Sequence, residues 1–250
     1  PPAMHLIVGI VTNNKDPEKL GRVKVKFPTL FESNESYWAR IIAPGAGKER
    51  GLYVAPEVND EVLVAFENGN PNHPYVLGGL WNGMDKPPPG TAEVIDGSGN
   101  VNQRIWRSRT GHLFVFDDTS GKESIQIIDK TSKNLIRITS SDNKLEVAIE
   151  GDINVTSKTG AISMTAKKDI KIESQSGKVT VLGQTTEVEA KQSGVVKAGT
   201  SLDMSSGTSL AAKAGTSLDV SGKTAKLAGG TVDVKADSAT SISGAVVKIN

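Results

Sequence analysis

The chain contains no cysteine. Disulfides and thiolate metal sites are thereby excluded, and any extended surface must be held by hydrogen bonds and burial alone. Charge of one sign is lacking too: 29 Lys and Arg stand against 28 Asp and Glu in 250 residues, a formal net charge of +1. No global field then attracts nucleic acid or anionic lipid. The stretch PPAMHLIVGI has no basic region followed by a long apolar run, so synthesis and folding in the cytosol are the expectation. Aromatics and prolines stop early: the last of five Phe, three Trp and three Tyr is Phe116, and the last of eleven prolines is Pro89. Beyond them the chain is Ser, Thr, Gly, Lys, Asp, Ala, Val and Ile. A β-ladder loses a donor at every proline, and a narrow interior has no room for rings. Low-complexity disorder is the competing reading of such a tract, but its apolar residues keep their phase over many repeats.

That phase is clearest from Gly199 onwards. GTSLDMSS, GTSLAAKA and GTSLDVSG begin at Gly199, Gly207 and Gly215, and the beat continues through TVDVKADS from Thr231 and ATSISGAV from Ala239. Apolar residues two apart, such as Leu202 and Met204, Leu210 and Ala212, or Leu218 and Val220, have strand periodicity. An even repeat returns each residue type to the same strand face, so one face is apolar throughout. Near Thr224 the phase slips by one residue, since Leu218 to Leu227 is a step of nine and Ala225 to Val232 a step of seven. In the upper part, from Ile153, steps of eight and nine alternate. An octad cannot fold alone, because two or three aliphatics do not offset the ordering of eight residues. Two architectures supply the missing neighbours: a single-chain solenoid with three octads per coil, or three chains wound about one axis.

The first 82 residues read differently. Short strands are predicted over 5–13, over 21–27, where Val23, Val25 and Phe27 alternate with Arg22, Lys24 and Lys26, and over 37–43, 61–66 and 75–80, with Gly- and Pro-rich turns between. Five or six such strands in so short a span point to a small barrel of the OB type. GMDKPPP to GSG, residues 83–99, reads as a linker, stiff and then flexible.

Chemistry-bearing residues are sparse. His5, His73 and His112 have no second ligand at metal spacing. Asp117 and Asp118 face opposite ways at a strand end, and Glu57, Asp60 and Glu61 read as a solvated turn rather than a calcium or acid/base cluster. GAGKERG and SGKE lack phosphate-loop spacing. Residues 1–90 hold nine Lys/Arg and ten Asp/Glu, so a nucleic-acid groove is not implied, and Tyr37, Trp38, Tyr53 and Trp81 are assigned to core or interface. No cofactor or metal is expected.

GRVKVKFP from Gly21, Trp38-Ala39-Arg40, NDEVLVAF from Asn59, Gly69-Asn70-Pro71 and PYVLG from Pro74 resemble the OB domain of phage baseplate assembly protein V and of the VgrG spikes. TGHLFVFDDTSGKESIQIID from Thr110 resembles the stretch that opens the spike's β-region, and the Val/Ile octads are similar to the family's triple-stranded β-helix. The resemblance implies an all-β chain: an N-terminal OB-fold barrel followed by an intertwined triple-stranded β-helix, a homotrimeric needle. The expected divisions are an OB domain at 1–82, a linker at 83–104, transition strands at 105–150 and the octad β-helix at 151–250. The needle core would be Ile153, Val155, Ile162, Met164, Ile170, Ile172, Val179, Val181, Leu202, Met204, Leu210, Leu218, Val220, Val232, Val234 and Ile242. Asp203, Lys213, Asp219, Lys223, Asp233 and Lys235 would be its solvated exterior.

The implied function is mechanical. The chain would be the non-enzymatic central spike of a contractile injection system (phage tail, type VI secretion or extracellular particle), assembled in the cytoplasm and delivered outwards on contraction. The family implies a PAAR-type tip protein on Val246, Val247, Lys248, Ile249 and Asn250, hub, tube and baseplate proteins at the OB end, no nucleic acid, and purely mechanical contact with the target membrane. A lysozyme domain, present in one branch between barrel and needle, does not fit in about twenty residues. A histidine-liganded apex is not expected, because no histidine follows His112. VgrG proteins carry a hub domain before the barrel, so here the hub is expected on a separate chain or a longer form. The alternative is a single-chain β-solenoid binding module, a fibre or adhesin, whose OB domain takes carbohydrate or nucleic acid.

Overall fold

Alternating valines build the first sheet of this computed structural model, which describes residues 6–29 and 35–248. Its strands are β1 (Leu6–Asn13), β2 (Lys24–Lys26), β3 (Arg40–Ile41), β4 (Glu61–Phe66) and β5 (Pro74–Gly79), in the order β2-β1-β4-β5-β3. β1 pairs antiparallel with both β4 and β2, β4 pairs antiparallel with β5, and β3 runs parallel to β5. An antiparallel bridge from Val23 to Ala39 joins the two outer strands and closes the barrel, which is OB topology. Closure leaves no long free edge.

The inward residues are Val11, Val23, Val25, Phe27, Ala39, Val62, Val64, Phe66 and Val76. Phe27 and Phe66 meet in the centre with ring centroids 5.6 Å apart. Gly9 lets β2 come close: a Cβ there would stand 3.3 Å from the Lys26 carbonyl and the Phe27 ring. The strand expected over 37–43 is only two residues long, because it is shared between the Val23 bridge and the parallel pairing of Arg40 with Tyr75. Residues 51–56 form no strand, since Gly51 has φ +130° and Pro56 has no N–H to give to a ladder.

A second sheet follows as a five-stranded antiparallel meander in sequence order: β6 (Gln103–Arg107), β7 (Leu113–Asp117), β8 (Ser124–Ile128), β9 (Leu135–Thr139) and β10 (Lys144–Ala148). β6 opens at Gln103, inside the stretch read as linker. Its side chain fastens that stretch down: Nε2 donates to Thr91 Oγ1 at 2.9 Å and to Asp117 Oδ2 at 2.6 Å, while Oε1 accepts from Thr91 N at 3.0 Å. The Gly97-Ser98-Gly99 segment read as flexible is an ordered turn, in which Asp96 accepts from the backbone N–H groups of Ser98 and Asn100 at 2.9 Å. Its ends are tied by a bridge from Ile95 to Val101.

Contacts divide the chain into two units, Pro1–Ser163, which holds both sheets, and Met164–Asn250. Among the described residues, no helix is long and apolar enough to cross a membrane.

Replacing Phe66 by Ala should destabilise the barrel by about 3–5 kcal/mol, read as a lower urea midpoint, whereas Leu20→Ala at an exposed site should stay within about 0.5 kcal/mol. A second expectation concerns the β8–β9 turn. Asn134 and then Thr131 donate to Asp129 and lower its pKa from the ordinary 3.8 to about 2. A depressed carboxylate stabilises above its unfolded pKa and loses that contribution as pH falls through the folded one. Between about pH 4 and pH 2 the melting temperature should therefore fall more steeply in the wild type than in Asp129→Asn; parallel curves would refute the turn's role.

Candidate assembly interface

Strand alternation and register sort the meander's side chains into two unlike faces. One carries the paired rows Arg104, Phe116, Ile125, Ile138, Leu145 and Trp106, Phe114, Ile127, Ile136, Val147. Nine of these ten are apolar, and Arg104 at the corner is paired with Asp118. The face is open: Trp106 is 56% and Leu145 65% exposed. Phe114 and Phe116 meet edge to face at 4.9 Å, and a cleft of about 460 Å³ opens beside Trp106, Phe114, Ile127, Ile136 and Ile149. Covering half-exposed side chains of this size would return on the order of 1 kcal/mol each. A contiguous apolar patch of this kind marks an interface.

The other face holds the sheet's buried polar residues, Gln103, Asp117, Ser124 and Gln126. Burial works against the Asp117 carboxylate, but hydrogen bonds from Thr119 and Gln103 outweigh it and hold its pKa below the ordinary value. Gln126 Nε2 donates to Ser124 Oγ at 2.9 Å. No buried side-chain polar atom among the described residues lacks a partner. The polar face is thus complete within the chain, and the apolar face is the incomplete one.

From residue 151 to 248 the backbone is extended between short bends, at 158–160, 167–168, 175–177, 184–185, 191–192, 199–200, 207–208, 215–216, 223, 229–230, 237–238 and 245. The three clean octads turn at their Gly-Thr pairs. Three-residue bends fall where the apolar step is nine, and there the N–H groups of Gly160 and Gly177 are capped by Ser157 Oγ and Ser174 Oγ at 3.1 Å. The early bend at 229–230 is the phase slip near Thr224.

Among the described residues, no backbone-to-backbone hydrogen bond involves this stretch. Every one of Ile153, Val155, Ile162, Met164, Ile170, Ile172, Val179, Val181, Leu202, Met204, Leu210, Leu218, Val220, Val232, Val234 and Ile242 is exposed on the single chain. They form no core within one chain; strand alternation would set them along one side, an apolar rail. Val246, Val247 and Lys248 are exposed as well, while Ile249 and Asn250 lie outside the described residues.

The remaining candidates do not converge. His73 sits 3.4 Å from Glu67, His112 Nδ1 accepts from Lys130 N at 3.3 Å, and His5 lies outside the described residues. No group of three His, Cys, Asp or Glu that could hold a metal is found among the described residues. The Glu57–Asp60 segment is a turn, closed by Asp60 Oδ2 accepting from Glu57 N at 2.7 Å. The core assignment of Tyr37, Trp38, Tyr53 and Trp81 is corrected: Tyr37, Tyr53 and Trp81 are exposed and Trp38 is half-buried, because valines and two phenylalanines already fill the small barrel. Gln103 was not singled out from sequence; a lone amide at an inward position of an alternating strand is the signal that marks it.

Ile136→Asp should weaken self-association by placing a charge in the apolar face, while Arg137→Gln on the opposite face should leave it intact. Light scattering after size exclusion distinguishes the two, and equal behaviour would mean that the apolar face is not an interface.

Comparison with known proteins agrees with the barrel. The family described as type VI secretion system/phage-baseplate injector OB domain matches residues 7–81. The actin cross-linking toxin VgrG1 of Vibrio cholerae serotype O1 is 30% identical over 135 residues, covering 50% of this chain and 12% of that protein. The type VI secretion system spike protein VgrG3 of V. cholerae is 34% identical over 91 residues, covering 35% of this chain and 9% of the relative. The spike protein VgrG1a of Pseudomonas aeruginosa is 26% identical over 153 residues, covering 56% of this chain and 23% of the relative. The chain thus spans less than a quarter of the length of each of these relatives.

Proposed function

We propose that this chain, whose residues 7–81 match the injector OB domain family, is a member of the VgrG and phage baseplate V spike family, and that three copies of it form the central spike of a contractile injection machine. The observation that carries this reading is the stretch from 151 to 248: extended backbone bending every six to nine residues, with apolar residues paired two apart in sequence and no ladder of its own among the described residues. Three such rails wound together would give each peptide group a partner on a neighbouring chain and turn the aliphatic pairs towards a shared dry axis. The meander's apolar face would be covered in the same assembly, so that residues 105–150 form a collar between the barrel at 1–82 with its tether at 83–104 and the needle at 151–250.

Function then follows from mechanics. A shaft without long loops, cross-linked by backbone hydrogen bonds at every layer, transmits an axial push without local yielding. Contraction of the machine would drive it through the target envelope, and no catalytic group takes part. The three C-terminal ends, Val246 to Asn250, would form a blunt seat for a small tip protein of the PAAR type that carries effectors. The barrels would face hub, tube and baseplate proteins. Assembly in the cytoplasm and delivery outwards on contraction go with this role. A single-chain solenoid would need parallel pairing between octads of one chain, and the absence of such pairing among the described residues counts against it.

A solution mass of three times 26.3 kDa is the expected result, and a monomer would favour the solenoid module. Leu210→Asp places three carboxylates in one layer and should prevent assembly, whereas Lys213→Asp on the exterior should be tolerated. Equal effects would reverse the assignment of inside and outside.

A further inference from the structure

We propose that the OB barrel carries a docking cleft for an acidic peptide segment of a partner protein, on the face built by β3, the start of β5 and the loops that follow β1, β3 and β4. This face is the one OB barrels offer to chain-like ligands. The cleft encloses about 740 Å³, and Arg22, Trp38, Arg40, Arg50, Tyr53 and Tyr75 are among its walls.

The barrel is balanced in charge, yet its acidic and basic residues are not evenly used. Arg22 is held by Asp16 at 2.8 Å and by Glu18 at 3.0 Å, Lys24 by Glu35 at 3.3 Å, and Glu67 is engaged by His73 at 3.4 Å and by the Tyr75 hydroxyl at 3.2 Å. Arg40 and Arg50 have no carboxylate partner among the described residues. Arg40 rests over the Tyr75 ring at 5.6 Å, and Arg50 donates to the Gly45 carbonyl at 3.0 Å.

Both free elements of the cleft are placed by glycines. A Cβ on Gly47 would meet the Arg50 guanidinium at 2.7 Å, and a Cβ on Gly21, which has φ +73°, would meet the Tyr53 ring at 3.0 Å. The guanidinium and the ring therefore each pass close over a glycine, where any other side chain would displace them. Such preorganisation lowers the ordering cost of binding.

The ring faces decide which polyanion fits. Trp38 is covered by Arg22 at 5.9 Å and Lys24 at 5.5 Å, and Tyr75 by Arg40. Tyr53, 73% exposed, is the open one of the three. A single-stranded nucleic acid needs successive free rings and a stripe of cations along its phosphates. Two separated guanidinium forks flanking one open ring suit carboxylates spaced along a peptide, with an apolar side chain between them on Tyr53.

The test uses the full assembled chain and a fluorescein-labelled peptide of alternating aspartate and leucine, followed by polarisation at low salt. Wild type should bind it, an alternating asparagine–leucine peptide should not, and Arg40→Gln and Arg50→Gln should each weaken binding about tenfold, the loss of one charge-assisted hydrogen bond. Lys130→Gln, away from the cleft, should bind as wild type does. Unchanged mass in every variant shows that the assembly is intact and keeps this result separate from the spike reading. Failure of the acidic peptide to bind, equal binding by the Arg variants, or preference for labelled oligo-dT lost in those same variants would each overturn the proposal.

Discussion

Peptide groups must be paired, and in this chain the pairing is local in one part and missing in another. In the barrel and the meander every strand has neighbours within the chain. From 151 to 248 the same extended backbone carries an unpaired N–H and C=O at nearly every residue. An unpaired group costs little while water reaches it and much once its side chains are buried. The aliphatic rail can therefore leave water only if the backbone finds partners in the same step. That coupling makes assembly all-or-none, and it is why the proposed spike is a property of three chains and not of one.

The two sheets meet this constraint in different ways. The barrel closes on itself through the Val23–Ala39 bridge and fills its small interior with valines, so it is complete as a single copy. The meander satisfies its backbone but not all its side chains: one face buries Gln103, Asp117, Val115 and Ile128, and the opposite face holds eight exposed apolar residues beside the half-buried Phe114. Along the chain, dependence on partners thus grows in stages, first none, then side chains alone, then side chains and backbone together.

Much of this was legible in residue order because strands announce themselves by alternation. Val23, Val25 and Phe27 point inwards as expected, β4 occupies residues 61–66 as predicted, and the slip near Thr224 appears as a shortened bend spacing. Strand alternation is a local property, so local sequence reports it. Less legible was whatever depended on which strands become neighbours. Ile125, Ile136 and Leu145 look like ordinary members of three alternating strands; only the register sets them beside Phe116 and Trp106 in one open face. Gln103 looked like linker because its partners Thr91 and Asp117 are twelve and fourteen residues away. Arg40 lies in β3 and Arg50 and Tyr53 in the loop that follows it, and counting charges could not show that the acids near them were already engaged.

By itself the sequence determined the beat and the sidedness: where rings and prolines cease, where glycines turn the octads, and which face of each strand is apolar. These follow from the two-residue period of extended chain and the steric demands of single residues. Tertiary structure decided what closes and what stays open: the bridge that makes a barrel of five short strands, the register that gathers one apolar face, and the cleft in which Arg40 and Arg50 have no carboxylate partner among the described residues. Those outcomes rest on contacts between residues far apart in the chain, and no local pattern carries that information.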